Sequence, residues 1–201
     1  MQNGETSDTK AKGYFMNNGI DDSQEVPDVD NITGIDNSID DYVGTDGDDE
    51  LIIVGCPGTV YGGGGNDGIW GNFYDDRFDG GDGNDRFYGG WGDNSLNGGS
   101  GDDLLSSGKG HQNLTGGEGN DIFKFMTPGD FVIHDFDVSS DLLNFESTTT
   151  GLHDIDDLFE VISGFEDTDE GVIVHFVDDI AAITLIGLHS DDLSAGMVSF
   201  T

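Results

Sequence analysis

Large apolar residues recur at every ninth position between residues 44 and 124, and glycine, aspartate and asparagine fill most positions between them. The stretch divides without insertion into nine units of nine residues. Their eighth positions are Leu51, Val60, Ile69, Phe78, Phe87, Leu96, Leu105, Leu114 and Phe123. Glycine costs about 1 kcal/mol per helical site, so these units exclude a helix. The last three positions of each unit predict a short strand with one inward side chain.

The first six positions of each unit are typical of a tight turn, because glycine tolerates positive φ and close backbone approach. Two units then close one coil of eighteen residues, and stacked coils place the eighth positions between two parallel sheets. Parallel connections of this kind are right-handed. The pattern therefore predicts an all-β fold, a right-handed parallel β-roll or β-solenoid, and the strict period argues against a flexible glycine-rich linker.

The flanking segments differ from the repeats. Residues 1–43 are polar and lack helical periodicity, which predicts a leader that is largely disordered or loosely docked. Residues 125–201 are expected to cap the open end of the roll, since the last coil otherwise exposes strand edges and apolar residues. Within them, residues 154–162 predict a short helix, and residues 171–177 and 180–186 predict strands.

Two features of the C-terminal segment bear on the cap. A degenerate repeat beginning at Phe125 would place Asp130 at its sixth position and Val132 at its eighth. The apolar side chains expected to cover the terminal core residues Leu114 and Phe123 are Leu142, Leu143 and Phe145.

The net charge of −36, from 42 acidic and 6 basic residues, narrows the classes of partner. Such a chain repels nucleic acid and anionic membrane surfaces, and no apolar run reaches the length of a membrane span. Low apolar content at this charge predicts disorder until a cation neutralises it. The one cysteine, Cys56, excludes an internal disulfide, and its role stays open. The N-terminus has no apolar secretory signal.

Four units, GGGGNDGIW, GGDGNDRFY, GGSGDDLLS and GGEGNDIFK, follow the pattern G-G-x-G-x-D-x-U-x, where U is apolar. The stretch resembles the RTX (repeat-in-toxin) hemolysin-type calcium-binding β-roll. The segment DFVIHDFDVSSDLLNF at residues 130–145 resembles the one that follows the repeats in that family, and DDLSAGMVSF at residues 191–200 resembles its closing segment. The resemblance implies folding on Ca²⁺ after type I export from a Gram-negative cell, with a C-terminal export signal and an extracellular location.

The coil places alternate turns on two opposite edges. Edge A holds the turns that begin at residues 44, 62, 80, 98 and 116, and the sixth residue of each is an aspartate. Stacked carboxylates repel one another unless a cation lies between them. Edge B holds the turns that begin at residues 53, 71, 89 and 107, with sixth residues Gly58, Asp76, Asn94 and Gln112. We expect about four Ca²⁺ ions on edge A, and at most one or two weak ones on edge B, nearest Asp76 or Asp130.

The resemblance also implies which residues hold the ions, mostly through backbone carbonyls. In the four gaps of edge A these are Thr45, Gly47, Asp49, Gly62, Gly64 and Asp67; Gly63, Gly65, Asp67, Gly80, Asp82 and Asp85; Gly81, Gly83, Asp85, Gly98, Ser100 and Asp103; and Gly99, Gly101, Asp103, Gly116, Glu118 and Asp121. A further site would join Gly117, Gly119 and Asp121 to Asp135 of the cap.

These features favour a non-catalytic, exported calcium-binding protein or module. The motifs HExxH and G-x-S-x-G are absent, so an enzyme is expected only as a larger secreted protease, lipase or alginate epimerase from which this module derives. A third class is a glycan-binding or adhesive module. It would use an outward stripe of ninth-position residues, Ile52, Trp70, Tyr88, Ser106 and Lys124, together with Leu104 and Ile122, unless the leader or the C-terminal region covers that stripe.

Overall fold

The computed structural model describes residues 14–15, 32–36, 42–54, 57–177 and 181–201. Two β-sheets lie face to face as the coils of a parallel β-solenoid of about 6 turns, with little helix. The fold predicted from the repeat is therefore confirmed. Cys56 and most of the expected leader lie outside the described residues.

The first sheet has ten strands. They are β1 (Tyr14–Phe15), β3 (Tyr42–Val43), β5 (Thr59–Gly64), β7 (Arg77–Asp82), β9 (Asn94–Ser100), β11 (His111–Glu118), β13 (Asp130–Ile133), β15 (Ile162–Asp167), β16 (Gly171–Phe176) and β17 (Ala182–Ile186). Their order is β1-β3-β5-β7-β9-β11-β13-β17-β16-β15. Pairing is parallel from β3 to β17, whereas β1 and the β15–β16–β17 end pair antiparallel.

The second sheet has eight strands, all paired in parallel. They are β2 (Ile32–Asp36), β4 (Glu50–Val54), β6 (Gly68–Trp70), β8 (Arg86–Tyr88), β10 (Leu104–Ser107), β12 (Ile122–Phe125), β14 (Leu142–Phe145) and β18 (Val198–Phe200). Their order is β18-β14-β12-β10-β8-β6-β4-β2. Consecutive strands of the chain thus alternate between the two sheets through the whole repeat region.

The core lies between the sheets and consists of the eighth-position side chains. Ile69 lies opposite Phe87, and Phe87 lies opposite Leu105, so the register advances by eighteen residues per coil. Every predicted eighth-position residue is at most 1% exposed. Full burial of such a side chain contributes about 1.5–3 kcal/mol, and these two facing columns, one on each sheet, are the regular source of apolar stabilisation in the roll.

The two sheets continue past residue 124. Strand β13 pairs with β11, and β14 pairs with β12. Leu143 lies opposite Phe123, as expected of the cap, but the residue opposite Leu114 is Ile133. The addition of β17 to one sheet and β18 to the other then extends the stack by one more strand on each side.

The expected register of the degenerate repeat is wrong by one residue. Asp130 lies opposite His111, a fifth-position residue, and Phe131 lies opposite Gln112 at the sixth position. Ile133 rather than Val132 enters the core. The spacing from residue 114 to residue 133 is nineteen, because the turn before β13 contains one residue more than the repeat.

Two short helices connect the cap strands, α1 (Ser147–Thr150) and α2 (Ile155–Val161). The side chain of Asp154 accepts the backbone N–H groups of Asp156 and Asp157 at 3.0 Å each and so caps the N-terminus of α2. This helix and the strands β16 and β17 confirm the three elements predicted for the C-terminal segment. Strand β15, which pairs antiparallel with β16, was not predicted.

Candidate metal sites

The five sixth-position aspartates of edge A form a buried column. They are Asp49, Asp67, Asp85, Asp103 and Asp121, each at most 3% exposed. The backbone N–H of Asp49 donates to Oδ1 of Asp67 at 2.8 Å, and the same bond recurs at 2.7, 2.7 and 2.9 Å along the column. In Asp67, Asp85, Asp103 and Asp121, one carboxylate oxygen therefore hydrogen-bonds its turn to the preceding turn of edge A.

The other oxygen is left without a partner. Within the described residues, Oδ2 of Asp67, Asp85, Asp103 and Asp121 is buried and accepts no hydrogen bond. Each lies against the first glycine of its own turn, where an added Cβ would collide with it. A buried polar atom without a partner costs about 1–3 kcal/mol, and more when it is charged. These four oxygens therefore need a cation or a proton.

The pKa values of these four carboxyl groups are raised, because burial without a partner disfavours the ionised form. Burial, followed by the charge of other carboxylates, raises the pKa of Asp67 and Asp103 to about 7. Burial also raises the pKa of Asp85 and Asp121 to about 6. An unperturbed aspartate has a pKa of about 3.9. Without a cation, these groups thus retain protons at a pH where exposed aspartates are fully ionised.

The turn backbone supplies the remaining oxygens. Gly81 and Gly83 have φ values of +99° and +126°, and an added Cβ at either would collide with the carbonyl oxygen of Gly63 or Gly65 in the preceding turn. No three acidic, histidine or cysteine side chains converge on a metal position in the described part of the chain. A site here must combine carboxylates with carbonyls, which are the hard oxygen ligands that Ca²⁺ prefers. The residues present fit calcium.

Some of the carbonyls assigned to calcium already accept one hydrogen bond. The N–H of Gly83 donates to the Ser100 carbonyl at 2.7 Å, and the N–H of Gly101 donates to the Glu118 carbonyl at 2.7 Å. The Thr45 carbonyl accepts the N–H of Gly64 at 2.9 Å. A carbonyl oxygen has two lone pairs, so each retains one acceptor position for a metal.

The first turn of edge A differs from the other four. Oδ2 of Asp49 accepts the backbone N–H of Thr45 at 2.7 Å and its hydroxyl at 3.0 Å. This carboxylate therefore has a local partner, which the corresponding oxygens of Asp67, Asp85, Asp103 and Asp121 lack. The gap between Asp49 and Asp67 is consequently bordered by one carboxylate oxygen without a partner, whereas each of the next three gaps is bordered by two.

In the described turns of edge B, the sixth-position side chains of Asp76, Asn94 and Gln112 have hydrogen-bond partners on both of their polar atoms. Asp76 accepts the N–H of Gly58 at 3.0 Å on one oxygen and the N–H of Asn72 at 3.1 Å on the other. Asn94 continues the column, since its Oδ1 accepts the N–H of Asp76 at 2.8 Å. Its Nδ2 donates to the carbonyls of Gly89 at 3.2 Å and Trp91 at 3.4 Å.

Gln112 acts in the same way in the next turn of edge B. Its Nε2 donates to the carbonyls of Gly92 at 2.6 Å and Lys109 at 3.4 Å, while its Oε1 accepts the hydroxyl of Ser107. On edge B, the side-chain amides of Asn94 and Gln112 therefore donate hydrogen bonds to turn carbonyls, where a cation would otherwise supply positive charge. The two edges are therefore chemically different, as the sixth positions predicted.

These turns match a known repeat. The family model described as the RTX calcium-binding nonapeptide repeat (4 copies) matches residues 61–96, 70–105 and 88–123. The chain carries RTX repeats. No curated protein sequence matches it. No helix within the described ranges is long and apolar enough to span a membrane.

Among solved structures, 8 chains match this one. The AlgE6R3 subunit of the Azotobacter vinelandii mannuronan C5-epimerase is 23% identical, with a TM-score of 0.37, over 80% of this chain and 77% of that one. The extracellular lipase LipA from Serratia marcescens is 19% identical, with a TM-score of 0.29, over 72% of this chain and 40% of that one.

A sixth carboxylate of the edge A column was missed by the sequence analysis. Oδ1 of Asp141 accepts the backbone N–H of Asp121 at 3.0 Å, and Asp141 is 5% exposed. Asp141 follows Asp121 by twenty residues rather than eighteen, because the cap contains two additional residues before this turn, so the period of the repeat did not predict it. A signal was present in the similar segments DIFKF, beginning at Asp121, and DLLNF, beginning at Asp141.

The two other cap residues assigned to metal occupy different surroundings. Asp135 accepts the N–H groups of Gly116 at 2.9 Å and Gly117 at 2.8 Å, and its charge contributes to the raised pKa of Asp121. The side chain of Asp130 is 54% exposed and lies 3.2 Å from Nδ1 of His111. Asp135 thus belongs to the end of edge A, whereas Asp130 lies outside the sixth-position column.

A second ladder, at the fifth positions, was also missed. Oδ1 of Asp48 accepts the N–H of Asn66 at 2.7 Å, and Oδ1 of Asn66 accepts the N–H of Asn84 at 2.8 Å. These bonds run from each turn to the previous side chain, opposite in direction to the sixth-position bonds. The recurrence of asparagine or aspartate at the fifth position was the available signal.

Proposed function

We propose that the chain is a non-catalytic, secreted RTX module that folds around Ca²⁺ ions bound in the gaps of edge A. The observation that carries this proposal is the column of buried carboxylate oxygens without partners at Asp67, Asp85, Asp103 and Asp121. When bound, calcium would supply the positive charge that these oxygens need. The residues named above for the four gaps, with Asp135 and Asp141 at the cap, are the proposed ligands or their neighbours.

The acidic charge links this chemistry to export. At a net charge of −36 the chain resists compaction where calcium is scarce, and extracellular calcium modules bind in the range of about 10⁻⁴–10⁻³ M. An unfolded chain is the form that a type I exporter would pass, and folding would follow outside the cell. The same calcium chemistry would serve if the module belongs to a larger secreted enzyme.

A second candidate function is glycan binding by the aromatic stripe. Trp70 and Tyr88 stack on adjacent strands with ring centroids 5.7 Å apart and planes 8° apart, and aromatic side chains of this kind can pack against sugar rings. The stripe is shorter than expected, because Ser106 is completely buried. A glycan array probed in calcium, with Trp70→Ala as the comparison, tests this alternative.

Calcium titration tests the main proposal. In excess chelator, far-UV circular dichroism should report a mostly disordered chain, and millimolar Ca²⁺ should produce the β signal. Mg²⁺ should replace Ca²⁺ poorly, because Mg²⁺ retains its water ligands and demands stricter octahedral geometry. Equal β content in chelator and in calcium at pH 8 would refute calcium-dependent folding.

A further inference from the structure

An apolar cavity of about 280 Å³ lies in the C-terminal region, bounded by β14, α2 and the β15–β17 end of the first sheet. Phe145, Phe176 and Leu185 form part of its wall and are buried. Of the residues that line it, only Ser190 and Ser194 are polar. Protein interiors seldom retain voids much larger than a water molecule, and apolar cavities accept apolar guests.

The cavity opens to solvent beside two exposed aromatic side chains. Phe159 on α2 is 58% exposed and Phe165 on β15 is 47% exposed, although both line the cavity. Its volume lies just below the range for small-molecule pockets, about 300–1,000 Å³. The space therefore suits a single alkyl chain or aromatic group.

The mouth carries negative charge. The backbone N–H and the hydroxyl of Ser190 donate to the two carboxylate oxygens of Asp167 at 2.7 and 2.8 Å. These hydrogen bonds, with a smaller contribution from His189, hold the pKa of Asp167 below its usual value, so the group is ionised at neutral pH. Asp191 and Asp192 are exposed next to Ser190, and residues 125–201 contain no lysine or arginine.

We propose that this cavity binds the hydrocarbon chain of a small cationic amphiphile, whose head group lies at Asp167, Asp191 and Asp192. The apolar wall selects the chain, and the carboxylates attract a cation and repel an anion. This site is separate from edge A and requires no metal ligand of the roll.

Three ten-carbon probes with different head groups test the proposal on the full-length, calcium-loaded protein. Isothermal titration should show decyltrimethylammonium binding at least tenfold more tightly than decanesulfonate, with decanol between them. Tetramethylammonium, which has no chain, measures general counterion binding and should give no saturable heat. Asp167→Asn should reduce the preference for the cation over decanol at least threefold while decanol still binds.

Variants that fill the cavity locate the binding. Ala195→Trp and Ser194→Trp, two alternatives in case one folds poorly, should each weaken decyltrimethylammonium at least tenfold. Val138→Trp, at a 44% exposed position that does not line the cavity, should leave affinity unchanged. The proposal is overturned if no probe binds, if the anion binds as well as the cation, or if filled and control variants bind alike. It is also overturned if sedimentation shows a dimer that only the filling variants dissociate, because a second copy then covers the site.

Discussion

The backbone N–H of Asp85 donates to Oδ1 of Asp103 at 2.7 Å, while Oδ2 of the same Asp103 carboxylate is buried and accepts no hydrogen bond within the described residues. One oxygen thus maintains the backbone stack, and the other is left for a cation or a proton. Because this division recurs along edge A, the fold and the proposed calcium sites depend on the same side chains.

Asp85→Asn should raise the calcium midpoint of folding by about tenfold or more. The asparagine oxygen can still accept the N–H of Asp67, so the ladder is retained, but charge is lost from the two gaps that Asp85 borders. Asp102→Asn is the matched control, since it removes one charge from the same edge at an exposed position. Circular dichroism during calcium titration measures both, and equal shifts would contradict a specific role for Asp85.

Asn94→Asp should create a calcium requirement on edge B. The change removes the amide donor to the Gly89 and Trp91 carbonyls and places a second carboxylate beside Asp76. We expect lower thermal stability at micromolar calcium, with recovery and about one additional bound ion at millimolar calcium. The control Asn97→Asp adds the same charge at a partly exposed position and should change neither the thermal stability at micromolar calcium nor the number of bound ions. If mass spectrometry shows an unchanged number of bound ions in Asn94→Asp, the side-chain amide of Asn94 does not take the place of a calcium ion.

The period of nine was sufficient to predict the roll, its core and the edge A column, because one inward side chain per unit repeats with the backbone. It failed where the connection changed length. One extra residue before β13 shifted Asp130 out of the sixth position, and two extra residues concealed Asp141. The hydrogen bonds of the Gln112 side-chain amide could not be predicted from the repeat either, because the sequence does not reveal which carbonyl a side-chain N–H reaches.

Acidic pH should stabilise the calcium-free fold. The folded-state pKa values of about 6 to 7 at Asp67, Asp85, Asp103 and Asp121 exceed the unfolded value of about 3.9. The folded chain therefore binds more protons, so the stabilisation is complete below about pH 4 and is lost as pH rises through 6 to 7. In chelator, β signal should increase from pH 8 to pH 5, and the calcium midpoint should be higher at pH 5.5 than at pH 8.

A paired control separates this effect from general relief of negative charge. The double variant Asp67→Asn with Asp103→Asn should weaken the pH dependence in chelator, because two of the four buried carboxyl groups no longer titrate. Asp48→Asn with Asp102→Asn removes the same charge from exposed fifth positions and should retain the dependence. The same pH profile in both doubles would attribute the effect to net charge alone.

The last coil should depend on the cap through two separable contributions. Leu143 lies over Phe123, so Leu143→Ala should cost about 2–5 kcal/mol of unfolding free energy even at saturating calcium. Asp141→Asn can still accept the N–H of Asp121, but it removes the charge and the acceptor for the N–H of Asp137 at 2.9 Å. It should raise the calcium midpoint or lower the ion count by one, and its loss of stability at saturating calcium should be smaller than that of Leu143→Ala. Asp137→Asn, at an exposed position of the same turn, should change neither quantity. Chemical unfolding at high calcium, paired with calcium titration, distinguishes the two. If Leu143→Ala and Asp141→Asn give the same pattern, the cap acts by one mechanism and this division is wrong.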